Sequence, residues 1–154
     1  MLVRFRADVI ALKPAVVQIM AGTNDIAGNT GPMSEDDTKA NIMSMVELAQ
    51  AHGIRVILAS MPPAAGFPWR PGLQTGPRIV SLNAWMKDYA RRAGVVYADY
   101  WAVLNDGGMG FRPDLAYDGV HPNAQGYAAM APVAEAAIKK ALASPAPRPL
   151  ERLR

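Results

Sequence analysis

The chain has 154 residues, 51% of them apolar, no cysteine and a net charge of +3. That length suits one compact domain, and the lack of cysteine excludes disulfides and thiolate-held metals. No run of about eighteen uncharged apolar residues occurs, so no membrane span is expected. The first residues are interrupted by Arg4, Arg6, Asp8 and Lys13, which leaves no signal-peptide core and makes the cytoplasm the default compartment. Much of the basic excess sits near the C-terminus, in Lys139, Lys140, Arg148, Arg152 and Arg154. It lacks the aromatic interleaving or motif of a nucleic-acid binder and reads as a solvated tail.

In chain order, residues 3–12 read as a helix, because Phe5, Val9 and Leu12 recur at helical spacing. Pro14 ends it. Residues 15–20, "AVVQIM", are short and rich in β-branched residues, the pattern of a buried parallel strand. Ser34 then caps a helix with acidic residues in its first turn, an inner stripe of Ile42, Met45, Val46 and Ala49, and Gly53 just past its end. Residues 54–59 are a second strand. A long proline-rich loop fills 61–77, a length that often marks a functional loop. A helix over 78–93 turns Ile79, Leu82, Met86 and Tyr89 inward and stops at Gly94. Residues 95–99 are a third strand. Residues 123–142 form a last helix, with a kink expected at Pro132. The tail starts at Ser144. This alternation implies βαβ crossovers and a parallel sheet between helix layers.

In such sheets the ligand sits beyond the carboxyl ends of the strands, and three loops lie there. In the first, Gly22 lets the backbone pass close to a ligand, and Asn24 offers an amide NH2 to a developing oxyanion. The same "GTND" also reads as a simple turn held by Asn and Asp side chains. In the third, His121 follows Asp118 by three residues and precedes Pro122. The carboxylate can hold one imidazole nitrogen and leave the other as a base. The competing reading is an Asp-Gly turn with an exposed histidine capping the last helix. The other histidine, His52, is explained by its place at a helix C-terminus. One histidine with scattered carboxylates lacks the spacing of a metal site, and no cofactor is expected.

The two loops together resemble a known family. "QIMAGTNDI" and "YDGVHPNAQGY" are similar to the third and fifth sequence blocks of the SGNH hydrolases, also called the GDSL lipase/esterase or acylhydrolase family. "ILASMPPAAGFPWRPG", "LNAWMKDYARRAGVVYADYWAVL" and "GYAAMAPVAEAAI" resemble it as well, so the likeness spans roughly residues 3 to 140. It implies a flavodoxin-like three-layer α/β/α fold with a parallel sheet, and a Ser-His-Asp hydrolysis of small acyl esters. His121 would be the general base, Asp118 the acid that orients it, and Asn24 and Gly22 the oxyanion side of the site.

The resemblance also implies a gap. The block carrying the nucleophilic serine has no counterpart in residues 1 to 15. By analogy the fold is truncated at its N-terminus, keeps about three strands, and runs over residues 1–143 with a flexible tail over 144–154. Activity would then be impaired. Ser60, at the end of the second strand, is the candidate substitute nucleophile, although it also reads as a strand-end serine bonded to backbone. Ser34 is a cap, Ser44 and Ser81 fall inside helices, and Ser144 is in the tail. Phe67, Trp69 and Leu73 are candidates for an acyl pocket or for packing of their own loop. The uncovered edge of strand 15–20 would favour a homo-oligomer or pairing with an N-terminal segment. The alternatives to an esterase are an inactive fragment that folds by oligomerising and a non-catalytic acyl- or sugar-binding module.

Overall fold

The computed structural model describes residues 1–149, so the last five residues of the expected tail lie outside the described range. Three parallel strands, β1 (Val16–Ile19), β2 (Arg55–Ala59) and β3 (Val96–Ala98), form one sheet in the order β1-β2-β3. Val17 pairs with Val56 and Ile57 with Val96. β2 is central and buried on both faces, which is why its sequence is a continuous apolar run. Its side chains alternate. Val56 and Leu58 enter one core with Ile42, Met45, Val46, Ile79, Leu82 and Met86. Ile57 and Ala59 enter a second core with Tyr100, Leu104, Met130 and Ala137.

The helices follow from that division. α3 (Glu35–Ala51) and α4 (Gly76–Ala93) cover the first face, and α5 (Tyr100–Leu104) and α6 (Ala124–Ala143) cover the second. Two successive crossovers in the same direction must lie on one face if both are right-handed, as βαβ units are. The molecule is thus an α/β protein in three layers, as expected. Ser34 caps α3 in a reciprocal box with Asp37: the Asp37 N–H donates to Ser34 Oγ at 3.0 Å and the Ser34 N–H to Asp37 Oδ2 at 3.2 Å. α4 starts at Gly76, slightly before the expected 78, with Pro77 in its first turn. α6 runs unbroken across Pro132. Pro132 and Ala128 are both exposed, so the carbonyl that loses its N–H partner can be hydrated.

One expectation needs correction. Residues 3–12 are not one helix. They form a 3-10 turn (Leu2–Arg4), a single turn α1 (Phe5–Asp8) and a second 3-10 turn (Ile10–Leu12). No side chain caps the start, and Val9 leaves helical geometry at φ −125° and ψ −60°. Lys13 takes a left-handed φ of 49° just before Pro14, which disfavours helix there. Phe5 is buried, but Leu12 is exposed. At the start of the tail, Arg55 Nε donates to the Ser144 carbonyl at 2.9 Å. Pro149 lies against Gly53, where a Cβ would sit 3.0 Å from its ring.

Candidate functional site

The third loop builds its pair from one turn. Asp118 Oδ1 accepts from the backbone N–H groups of Val120 (3.0 Å) and His121 (2.8 Å), and Gly119 supplies the positive φ of 78° that the turn needs. The other oxygen, Oδ2, lies 2.8 Å from His121 Nδ1. One carboxylate therefore shapes the loop and holds the ring. An ionised carboxylate only accepts, so Nδ1 is the donor in this contact, and Nε2 is the ring nitrogen without a partner among the described residues. Below the pair, Tyr117 N–H donates to the His121 carbonyl at 2.9 Å. Asn123 caps α6 through Gly126 N–H at 2.9 Å, while its own NH2 donates to the Asp114 carbonyl at 2.9 Å.

The imidazole hydrogen bond, followed by the backbone donor of His121, holds the Asp118 carboxyl at about 2, below its ordinary 3.8. The direction fixes the pH dependence. A depressed carboxylate contributes its contact fully above its unfolded value and loses it as pH falls through the folded one. The Asp118–His121 contact should therefore weaken progressively from about pH 4 downward and be half lost near pH 2. A carbon-detected NMR titration of Asp118 should show a midpoint near 2 that rises in His121→Ala. A midpoint near 4 in the unaltered chain would contradict this geometry.

The first loop holds a helix that the sequence reading took as a turn, α2 (Thr23–Ala27). At five residues it is too short to show periodicity. Gly22 precedes it with φ 119°, and a Cβ there would lie 2.6 Å from Met61 Sδ, so the glycine serves the backbone turn and the packing beneath it. Asn24, Trp69 and His121 line one cleft of about 940 Å³, which opens at the carboxyl ends of the strands. Five methionines, Met1, Met20, Met33, Met45 and Met130, supply much of its apolar wall. His121 is open to solvent, with 64% of its side-chain surface exposed.

The other candidates separate. Ser60 is fully buried, its Oγ accepts from the Trp101 N–H at 2.9 Å, and it does not line the cleft. The structure thus does not bring Ser60 together with His121, and no serine among the described residues lines that cleft. Of the three candidate acyl-pocket residues only Trp69 reaches it. Phe67 is buried beneath Trp69, their rings stacked at 5.2 Å, and Leu73 lines a neighbouring hollow beside Arg70 and Arg78. Asn29 was not singled out in the sequence. It lines the cleft, and its NH2 donates to Asn24 Oδ1 at 2.8 Å. Its signal was the spacing "NDIAGN", in which one helical turn and Gly28 bring positions 24 and 29 together.

The structure is thus an α/β protein with a parallel sheet whose cleft, at the strand carboxyl ends, is flanked by an Asp–His pair and an asparagine amide. The sequence model of the GDSL-like lipase/acylhydrolase family matches residues 1–129, and the chain belongs to that family. Solved structures agree. The chain is 48% identical to a Bacteroides fragilis protein assigned as an acylhydrolase, with a TM-score of 0.87 over 92% of this chain and 69% of that one. It is 47% identical to a GDSL-like lipase of Bacteroides thetaiotaomicron, with a TM-score of 0.86 over 92% and 70%. An acetylxylan esterase of Geobacillus stearothermophilus shares the fold at 23% identity and a TM-score of 0.72, over 88% of this chain and 64% of that one. No curated protein sequence matches the chain significantly.

Proposed function

We propose that the chain hydrolyses small acyl esters, with His121 as general base, Asp118 as the group that orients it, and Asn24 as an oxyanion donor. The observation that carries this reading is the 2.8 Å contact that occupies His121 Nδ1 and leaves Nε2 free of protein partners among the described residues, beside the cleft that Asn24 shares. No serine among the described residues lines the cleft, and this reading takes water as the attacking oxygen. Nε2 takes a proton as the water oxygen bonds to the ester carbonyl carbon, and the Asn24 NH2 donates to the oxyanion. Collapse breaks the bond to the alcohol oxygen, which takes the proton back from the imidazolium. Without a covalent acyl-enzyme to divide the barrier, this route is slow, so activity is impaired relative to a full triad. The test is hydrolysis of p-nitrophenyl acetate and butyrate by the purified chain, with fluorophosphonate labelling read by mass spectrometry. Turnover above buffer without a labelled serine supports the reading, and no turnover overturns it.

A second reading, an inactive fragment or acyl- or sugar-binding module that folds by oligomerising, draws on a different observation. β1 pairs only with β2 among the described residues, so its outer edge has unpaired backbone groups beside the exposed Met20. Such an edge is a template for another strand, from a second copy or from an N-terminal segment. Light scattering on a folded sample is expected to give a mass above that of one chain, and a monomer at high concentration would contradict it.

A further inference from the structure

The side chains around Asn24 form a directed chain of hydrogen bonds. The indole Nε1 of Trp69 lies 3.3 Å from Asn29 Oδ1, and Asn29 Nδ2 lies 2.8 Å from Asn24 Oδ1. An asparagine amide is nearly symmetric in shape, and its orientation is set by its partners. Here the partner at one end has no freedom, because an indole N–H can only donate. It therefore selects the oxygen of Asn29, which turns the Asn29 NH2 toward Asn24. That NH2 in turn selects the oxygen of Asn24, so the Asn24 NH2 points away from Asn29. Among the described residues no protein atom accepts from it. Trp69 is itself held by its stack on the buried Phe67, at 5.2 Å and 6° between planes, and by the His121 ring at 5.9 Å. Asn29 also anchors its own backbone, donating its N–H to the Asn24 carbonyl at 3.0 Å.

We propose that Asn29 is a positioning residue which, set by the Trp69 N–H, holds the Asn24 amide with its NH2 turned toward the reacting carbonyl. The proposal rests on the reading of Asn24 as an oxyanion donor. Its physical content is that an unheld Asn24 can present either end. A carbonyl oxygen in that place repels the oxyanion that an NH2 would stabilise, and an orientation fixed beforehand costs no reorganisation during the reaction.

Three variants separate this role from simple support of the loop. Asn29→Ala removes the constraint. Asn29→Asp keeps the shape but can only accept, so it draws the Asn24 NH2 to itself and turns the Asn24 oxygen toward the ester. Trp69→Phe keeps an aromatic ring but loses the N–H. With p-nitrophenyl acetate, kcat should fall about 10-fold in Asn29→Ala and further, toward the ~10²-fold of a lost oxyanion donor, in Asn29→Asp, with KM little changed. Trp69→Phe should resemble Asn29→Ala. None should slow an Asn24→Ala protein further. If Asn24→Ala slows hydrolysis while both Asn29 variants keep the original kcat, the proposal is overturned. It is also overturned if Asn29→Ala and Asn29→Asp are equally slow and equally destabilised. If the unaltered chain does not turn over, or Asn24→Ala has no effect, the oxyanion reading fails by itself. Side-chain amide exchange measured by 15N NMR then decides the orientation: a protected Asn29 NH2 beside an unprotected Asn24 NH2 supports the proposal, and the reverse pattern overturns it.

Discussion

His121→Ala is expected to lower the rate of p-nitrophenyl acetate hydrolysis at neutral pH by about 10²-fold or more, the range general bases supply. Folding should be undisturbed, because the ring is largely exposed and the loop is held by backbone bonds to Asp118 Oδ1 that do not involve the imidazole. Asp118→Asn should act through the same atom by another route. Its amide can still accept from the Val120 and His121 N–H groups. Its NH2, however, would donate to Nδ1 where the carboxylate accepted, which moves the ring proton to Nε2 and removes the base. The two substitutions combined should then cost little more than either alone. Ser60→Ala should leave the rate unchanged, because Ser60 is buried away from the cleft, and should instead weaken folding by about 1–3 kcal/mol by leaving the Trp101 N–H unsatisfied. Equal rates in the unaltered chain and His121→Ala would leave only the non-catalytic reading.

Gly126→Ala is expected to be a strongly damaging conservative change near the site. Alanine is the better helix former by about 1 kcal/mol, so propensity alone predicts stabilisation. The structure predicts the opposite. A Cβ at 126 would overlap the Leu115 carbonyl oxygen and sit 2.9 Å from Pro122 Cβ. Backbone cannot give way as a flexible side chain can, so overpacking should cost about 1–3 kcal/mol or more net of propensity. Each kcal/mol should lower the melting temperature by about 2–4 °C in a chain of this size. The damage should reach the site, since the first turn of α6 and the Pro113–Leu115 turn are joined by Asn123, whose N–H donates to the Leu115 carbonyl. Gly66→Ala is the control: it has open space and no positive φ, and its melting temperature should not move.

The sheet was legible because β2 is packed from both sides, so nearly every residue from Val56 to Ala59 had to be apolar and the run stood out. α3 and α4 were legible because each is long enough for a repeating stripe, and because Ser34 and Gly94 mark a start and a stop. α2 and α5 were missed because five residues cannot show a period, although Asp99, which accepts from the Ala102 N–H at 3.2 Å, was a readable cap for α5. At the N-terminus the apolar spacing of Phe5, Val9 and Leu12 misled, since no cap and two β-branched neighbours at 9 and 10 left the helix without local support. The Asp118–His121 pair could be read because both residues lie in one turn. The link from Trp69 to Asn29 could not, as it joins positions 40 apart through a bond that only the folded loops create.

Arg70 lines the hollow beside the cleft and ties two of the cleft's three loops together. Its Nε donates to the Ala27 carbonyl at 2.8 Å and its terminal nitrogen to the Gly28 carbonyl at 3.2 Å, in space that exists only because Gly28 has no side chain. The end of α2 and the loop bearing Trp69 are thereby clamped into one jaw. The loop bearing His121 is the opposing jaw, braced on α6 and meeting the first through the face of the Trp69 ring. The amide of Asn24 and the imidazole of His121 therefore stand on separate jaws that share one cleft.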